Sequence, residues 1–201
     1  MKKEIIDKLT NFIINNKSCS EKDIKVYKYG LEALYNLLTK TVVILLLSIL
    51  LGTIKECIIL IFVYTSLRIF SYGLHASSSI GCWLTTIPIY IGGSLFIKFA
   101  IIPKHILAIS WAIYSIFVVL WAPADTKKRP LIRSERRKKL KIESLIVCFI
   151  YYLIITYSNN QILLNTILFA FSLQSICICP LTYKITNNQF NNYLYYKKSL
   201  N

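Results

Sequence analysis

The sequence predicts an all-α, polytopic integral membrane protein of about six transmembrane helices, preceded by an amphipathic interfacial helix at the N-terminus. Of its 201 residues, 55% are hydrophobic and only 16% are charged, whereas a soluble domain normally has about a quarter charged residues. The apolar residues also come in long runs rather than in the alternating pattern of a half-buried strand. We therefore expect a multi-pass protein of the cell membrane.

Three regions are expected along the chain. A basic arm covers residues 1–30, where seven lysines are interspersed with apolar residues at helical spacing. This pattern predicts either a helix lying on the membrane surface or a short solvated helix. A single transmembrane domain is expected at 31–180, with a basic cytoplasmic loop at 123–143. A tail rich in asparagine and tyrosine covers 181–201.

Six apolar segments have lengths near the ~20 residues that cross a bilayer. Boundaries read from a hydrophobic pattern are good to a few residues only. The predicted spans are 34–51, 54–70, 82–102, 106–121, 144–157 and 162–179.

Positive charge is distributed unevenly over the loops. The formal net charge is +15, and the loop 123–143 alone holds nine lysines and arginines. Cytoplasmic loops of membrane proteins carry such an excess. We therefore expect this loop and both termini in the cytoplasm. Because topology accounts for the charge, nucleic acid is not expected as a partner.

Several classes of membrane enzyme are excluded by the residues that are missing. None of the nine acidic residues lies in the middle of a predicted span, whereas an intramembrane aspartyl protease needs two buried carboxylates. The sequence has no HExxH, no GxSxG and no Walker motif. Cys177 and Cys179 have no further ligands nearby in sequence, so neither a metal nor another cofactor is expected.

The stretch RIFSYGLHASSSIGC, at 68–82, places a possible base and a possible nucleophile close together in sequence. On an unbroken helix, His75 and Cys82 would lie about 10.5 Å apart along the axis, so direct contact requires a bend. Gly73, Gly81 and a run of three serines provide places for one. A break between spans, a re-entrant turn, or pairing between two subunits would each satisfy this requirement.

This stretch resembles the R-x-x-x-x-G-x-H-A-x5-C signature of the AgrB family, the accessory gene regulator protein B membrane endopeptidases. The residues that match it are Arg68, Gly73, His75, Ala76 and Cys82. The span count and the basic loop also agree with that family, so the resemblance extends over nearly the whole chain.

A second stretch, APADTKKRPL, resembles the A-P-x-D-T-x-N-K-P-L loop of the same family. At the Asn-Lys of that pattern this chain has Lys128 and Arg129, which keeps the charge and loses the amide. The residues that match are Ala122, Pro123, Asp125, Thr126, Pro130 and Leu131.

The resemblance implies a membrane cysteine endopeptidase that matures a short AgrD-like precursor peptide into a cyclic quorum-sensing signal. Cys82 would form a thioester with the peptide, and His75 would act as general base and then as acid. A cysteine or serine of the peptide would then displace Cys82 to give a thiolactone or lactone. Arg68 would contact the substrate, stabilise negative charge or support the fold, and Gly73 would let the backbone bend. The resemblance also implies a homodimer in the lipid bilayer and a precursor peptide that lies at the inner leaflet.

The basic loop is expected to hold an acidic peptide by charge, through Lys127, Lys128 and Arg129. Two other functions remain open at this point: a peptide exporter without catalysis, and a membrane partner protein that docks through this loop. Replacing Cys82 by alanine distinguishes the endopeptidase from both, because only the endopeptidase needs the thiol.

Overall fold

In a computed structural model, the structure describes residues 2–16, 20–74, 79–127 and 129–198. These residues form helices connected by turns and loops, and no strand occurs among them, which confirms the all-α prediction. The helices of the described residues are α1 Lys2–Asn16, α2 Glu21–Leu50, α3 Ile54–Ser71, α4 Ser79–Phe99, α5 Lys104–Trp121, α6 Ser134–Tyr157, α7 Gln161–Ile178, α8 Pro180–Ile185 and α9 Asn192–Lys198.

Five helices in the described part of the chain are long and apolar enough to cross a membrane, so the chain is a multi-pass membrane protein. They are α2, residues Ile80–Phe99 of α4, α5, α6 and α7. The 18-residue helix α3 is not among them, because it contains three charged residues, Lys55, Glu56 and Arg68. The predicted count of six spans is therefore not confirmed.

Two helices begin well before the predicted spans. Helix α2 begins at Glu21 rather than near residue 34, and α6 begins at Ser134 rather than at 144. The segments added to each helix are charged, which is why hydrophobicity alone did not find them. Arginine, lysine, glutamate and leucine are nevertheless good helix formers, so much of the predicted basic loop is helical.

The chain divides into two compact units, Met1–Leu47 and Ser48–Asn201. In the first unit, the Lys28 ammonium lies 2.7 Å from an Asp7 carboxylate oxygen. This hydrogen-bonded ion pair lowers the pKa of Asp7. On α1, Ile5, Leu9 and Phe12 are exposed, whereas Ile6 is buried. The placement of α1 on a membrane surface remains a prediction.

In the second unit, α7 packs against α3, α4 and α5, and α6 packs against α3 and α5. Phe171 of α7 is completely buried and stacks on Tyr114 of α5, with ring centroids 4.6 Å apart. Tyr151 of α6 meets the same ring edge-on at 5.8 Å. Helix α7 is thus the central helix of this unit.

Candidate functional site

The backbone turns sharply where α3 ends. Tyr72 has φ 56° and ψ −139°, and Gly73 has φ 121°. Positive φ is uncommon for a residue with a side chain, so Tyr72 is held in an unfavourable conformation. A Cβ atom on Gly73 would lie 2.9 Å from the carbonyl oxygen of Cys177. The position therefore requires glycine for two reasons, its conformation and the closeness of α7.

This turn, residues 71–74, is joined to the loop at 122–126 by backbone hydrogen bonds. The Ala124 N–H donates to the Ser71 carbonyl at 3.0 Å, and the Gly73 N–H donates to the Ala124 carbonyl at 2.8 Å. The loop includes a cis peptide bond between Ala122 and Pro123. The two stretches that resemble family motifs in sequence are therefore adjacent in the fold.

Helix α7 holds the same turn from another side. The Leu74 N–H donates to the Cys177 carbonyl at 2.8 Å. The side-chain amide of Gln174 donates to the Ser71 hydroxyl at 2.7 Å and to the Tyr72 carbonyl at 2.6 Å. Sequence reasoning missed Gln174. The available signal was a polar amide inside an apolar span, since such residues are costly in a membrane and are commonly functional.

Arg68 lies near the end of α3, and its guanidinium contacts the protein's own chain. It donates to the Tyr64 hydroxyl at 3.0 Å and to the Leu74 carbonyl. It also lies over the Tyr64 ring, 5.7 Å from the centroid. The Tyr64 hydroxyl is in turn 3.6 Å from the Cys177 sulfur. Arg68 thus links α3 to the last described residue before His75.

Cys82 lies in the first turn of α4 and is half-buried. Its sulfur is 3.8 Å from the Thr86 hydroxyl, which donates to the Cys82 carbonyl at 2.5 Å. The amides at the start of a helix attract negative charge. The predicted base, His75, lies outside the described residues, so its pairing with Cys82 remains a prediction.

Asp125 anchors the loop at 122–126 and is almost completely buried, with 1% of its surface exposed. Its carboxylate accepts backbone N–H groups from Leu131 at 3.2 Å and from Asn192 and Tyr193 at 2.8 Å each. The last two belong to the first turn of α9. A carboxylate in that position satisfies amides that have no partner within the helix. Asp125 therefore ties the loop to the C-terminal helix.

Tyr183 of α8 adds a second connection to this loop. Its hydroxyl donates to the carbonyl oxygens of Asp125 at 3.1 Å and Ala124 at 3.3 Å. Burial raises the pKa of Tyr183, and the nearby charge of Asp125 raises it further. The phenol therefore stays protonated and remains a donor at neutral pH.

A basic groove lies beside the turn. Its volume is about 340 Å³, and it is lined by Tyr72, Arg129, Pro130, Leu131 and Arg136. Arg129 and Arg136 are both exposed, and the Arg136 guanidinium donates to the Tyr72 hydroxyl at 3.3 Å. The groove therefore presents two guanidinium groups and a phenol, a set of donors suited to carboxylates.

Of the two lysines predicted to contact the peptide through the basic loop, the structure describes only Lys127. Lys127 is exposed, and the Arg129 N–H donates to the Thr126 carbonyl at 2.9 Å. Lys128 lies outside the described residues. Among the residues that the structure describes, no three His, Cys, Asp or Glu side chains form a group that could hold a metal ion.

Comparison with known proteins gives a consistent result. The family profile of accessory gene regulator B, AgrB, matches residues 6–178. An AgrB-like protein of Clostridium acetobutylicum is 26% identical over 86% of this chain and 83% of its own length. An AgrB-like protein of Listeria innocua is 31% identical over 85% of this chain and 83% of its own length. No solved structure matches the chain.

The family profile covers most of the chain, including both motif stretches and every helix that could cross a membrane. The relatives match it over most of their own length as well. The chain therefore belongs to the AgrB family, multi-pass membrane proteins of the agr peptide quorum-sensing system.

Proposed function

We propose that this protein is a membrane cysteine endopeptidase that cleaves an AgrD-like precursor peptide, with Cys82 as nucleophile and His75 as general base. Membership in the AgrB family carries the proposal. The position of Cys82 adds support, since it lies in the first turn of α4, a short distance in sequence after the tightly held turn at 71–74.

In the first half of the reaction, the Cys82 sulfur attacks a backbone carbonyl carbon of the peptide. The thiol proton passes to His75, and a C–S bond forms as the carbonyl oxygen becomes negatively charged. Collapse of this intermediate breaks the peptide C–N bond, and His75 returns its proton to the leaving amine. The C-terminal fragment departs, and the N-terminal fragment remains on Cys82 as a thioester.

In the second half, a cysteine or serine of the bound peptide attacks the thioester carbonyl. A new C–S or C–O bond closes the ring, the Cys82 sulfur leaves, and the proton of the attacking group is transferred to it. The products are a thiolactone or lactone and the free enzyme thiol. A site that excludes water favours this cyclisation, because hydrolysis of the thioester would release a linear acid.

Arg68 and Gly73 act in this proposal as structural supports rather than as an oxyanion site. The Arg68 guanidinium is engaged by the Leu74 carbonyl and the Tyr64 hydroxyl. Gly73 permits the turn to pass against Cys177. Both residues therefore shape the backbone that leads directly to His75.

The basic loop forms the contact with acidic groups of the peptide in this proposal, through Lys127, Lys128 and Arg129. The groove beside the turn supports it, because Arg129 and Arg136 line it together with Tyr72. The uneven distribution of basic residues favours a cytoplasmic location for this surface and for both termini. The peptide would accordingly be processed near the inner face of the membrane.

The proposal is tested by intact-mass analysis of the protein purified after co-expression with its precursor peptide. Wild type is expected to carry a peptide adduct that hydroxylamine removes, and Cys82→Ala is expected to carry none and to release no fragment. Cys179→Ala is the matched control, because Cys179 is half-buried, as Cys82 is. Cleavage that persists in Cys82→Ala contradicts the nucleophile assignment and favours an exporter or a partner protein.

We also propose that the protein acts as a homodimer. Co-expression of His75→Ala with Cys82→Ala decides whether the two residues pair within one subunit or between two. Recovery of cleavage in the mixture, with none in either variant alone, indicates pairing between subunits. No recovery, in a mixture shown by co-purification to contain mixed dimers, indicates pairing within one subunit.

A further inference from the structure

Gln174 has an incomplete set of hydrogen bonds in the interior of the second unit. Its side chain is completely buried on α7. Its nitrogen donates to the Ser71 hydroxyl and to the Tyr72 carbonyl. Its oxygen, Oε1, is buried and has no hydrogen-bond partner in the part of the chain that the structure describes.

The amide holds a backbone that would not adopt its conformation alone. Tyr72 has a positive φ although it is not glycine, and the next residue also has a positive φ. Such conformations persist only where surrounding contacts enforce them, and they are concentrated at functional sites. The 2.6 Å bond from Gln174 to the Tyr72 carbonyl is a side-chain contact made to this strained residue.

Stability alone does not explain a glutamine at this position. A buried acceptor without a donor destabilises the fold, and each such group in a native structure calls for an explanation. An apolar side chain of the same length would fill the space without burying an unpaired oxygen. The feature that only an amide supplies here is the pair of N–H donors directed at Ser71 and Tyr72.

We propose that Gln174 is a positioning residue for the reaction, which sets the backbone of residues 71–74 and through it the approach of His75. The inference rests on the proposed function. Gln174 does not contact the reacting atoms; it acts through the Tyr72 carbonyl. Because Leu74 is followed directly by His75, a shift of this turn changes the placement of the base.

The test compares Gln174→Met with Asn165→Leu in protein purified in detergent. Asn165 is the matched control, because it is a buried amide on the same helix whose nitrogen also donates to two acceptors, the carbonyls of Ile97 and Ala100. Thermal unfolding monitors the fold, and kcat and KM for precursor cleavage monitor the reaction.

For Gln174→Met we expect kcat to fall about 10- to 100-fold with KM nearly unchanged, since small misplacement of a catalytic group costs rates of this order. Asn165→Leu should lower the unfolding temperature and leave kcat within about two-fold of wild type. An unchanged kcat in folded Gln174→Met overturns the proposal. An equal fall in both variants also overturns it, because the effect would then be one of general packing.

If Gln174→Met does not fold, Gln174→Glu carries the test. The protonated acid donates to the Tyr72 carbonyl, whereas the carboxylate has no donor. The ratio of its kcat to that of wild type is therefore expected to decrease as the pH rises through the pKa of the new carboxyl group. A reduced ratio that does not vary with pH overturns the proposal.

A separate measurement distinguishes failure of this inference from failure of the endopeptidase assignment. The rate of Cys82 alkylation by iodoacetamide is followed against pH by mass mapping, which requires no peptide substrate. A changed profile in Gln174→Met, with an unchanged one in Asn165→Leu, shows that Gln174 sets the surroundings of the Cys82 thiol. Cleavage that persists in Cys82→Ala would then contradict the endopeptidase assignment and not this contact. Identical profiles in the two variants and wild type overturn the inference.

Discussion

Each end of α7 has a buried side-chain amide that holds the backbone of a neighbouring segment. The two amides differ in how many of their own hydrogen-bonding groups have a partner. At one end, the Asn165 nitrogen donates to Ile97 and Ala100, and its oxygen accepts from Gln161 at 2.8 Å. At the other end, the Gln174 oxygen has no partner among the described residues.

The backbone that each amide holds differs in the same way. Asn165 holds the end of α4, where no described residue has a positive φ, whereas Gln174 donates to the Tyr72 carbonyl, and Tyr72 and the following Gly73 both have positive φ. A complete network on a relaxed backbone is typical of a structural support. An incomplete network on a strained backbone is typical of a functional site. The end of α7 near Gln174 is therefore where chemistry is expected.

The largest effect is expected from Gly73→Ala, because this substitution lies in the strained turn at 71–74 itself. Alanine would have to adopt a φ that is unfavourable for a residue with a side chain. Its Cβ would also lie only 2.9 Å from the carbonyl oxygen of Cys177. We expect precursor cleavage to fall at least about 10²-fold, because the turn leading to His75 is displaced. Cleavage assays on purified protein measure this.

The control for Gly73→Ala is Gly92→Ala on α4, where a Cβ has nothing within 4 Å. Alanine favours helix over glycine, so this variant should retain activity and unfold at an equal or higher temperature. Near-wild-type cleavage by Gly73→Ala would show that the turn tolerates displacement.

A smaller effect is expected from Asp125→Asn, which loosens the loop that pairs with the strained turn. One carboxylate accepts three backbone N–H groups, and an amide cannot accept all of them with its single oxygen. The free energy of unfolding should fall by about 2–3 kcal/mol, because hydrogen bonds to a buried charge are lost. Chemical unfolding in detergent measures this.

The exposed Glu135 of α6 provides the control for that variant. Glu135→Gln removes a negative charge close to the same loop in sequence, and its effect should stay within about 0.5 kcal/mol. Equal stability of Asp125→Asn and wild type would contradict the role of Asp125 as the anchor of the loop.

Asn165→Leu should separate stability from activity at the relaxed end of α7. It leaves the Ile97 and Ala100 carbonyls without this donor. We expect a loss of about 1–2 kcal/mol in the free energy of unfolding. Cleavage per folded molecule should not change, because the hydrogen bonds of the Asn165 side chain go to Gln161, Ile97 and Ala100 and not to the turn at 71–74. A fall in kcat for Asn165→Leu, without a fall in its free energy of unfolding, would show that the two ends of α7 do not differ in the way described.

The smallest effect is expected from Tyr72→Phe, which keeps the strained backbone and removes only the hydroxyl in the groove. That hydroxyl accepts from Arg136 at an exposed site. We expect KM for an acidic precursor to rise about two- to three-fold at low salt, with kcat unchanged, since exposed interactions of charged groups contribute little.

Tyr195→Phe, on the exposed surface of α9, is the control for that variant. It should leave KM unchanged at every salt concentration. A change in kcat rather than KM in Tyr72→Phe would assign the hydroxyl to the reaction instead of to binding.

Much of this fold could be predicted from the sequence, because long apolar runs must be helical where they cross a bilayer. The starts of α2 and α6 could not, since their charged turns are helical by propensity and not by hydrophobicity. Arg68, Gly73 and Cys82 could be selected because they match the family motif. Gln174 was visible as a polar residue in an apolar run, but nothing nearby in sequence indicated what it would meet.

The sequence by itself determined the membrane class, the basic surface and the two motif stretches, because these depend on composition and local spacing. Only the tertiary structure decided that the turn at 71–74 lies between the 122–126 loop and α7, and that Asp125 holds the first turn of α9. Each of these contacts joins groups about fifty residues or more apart. Their specificity arises from buried hydrogen-bond geometry, which local sequence patterns do not encode.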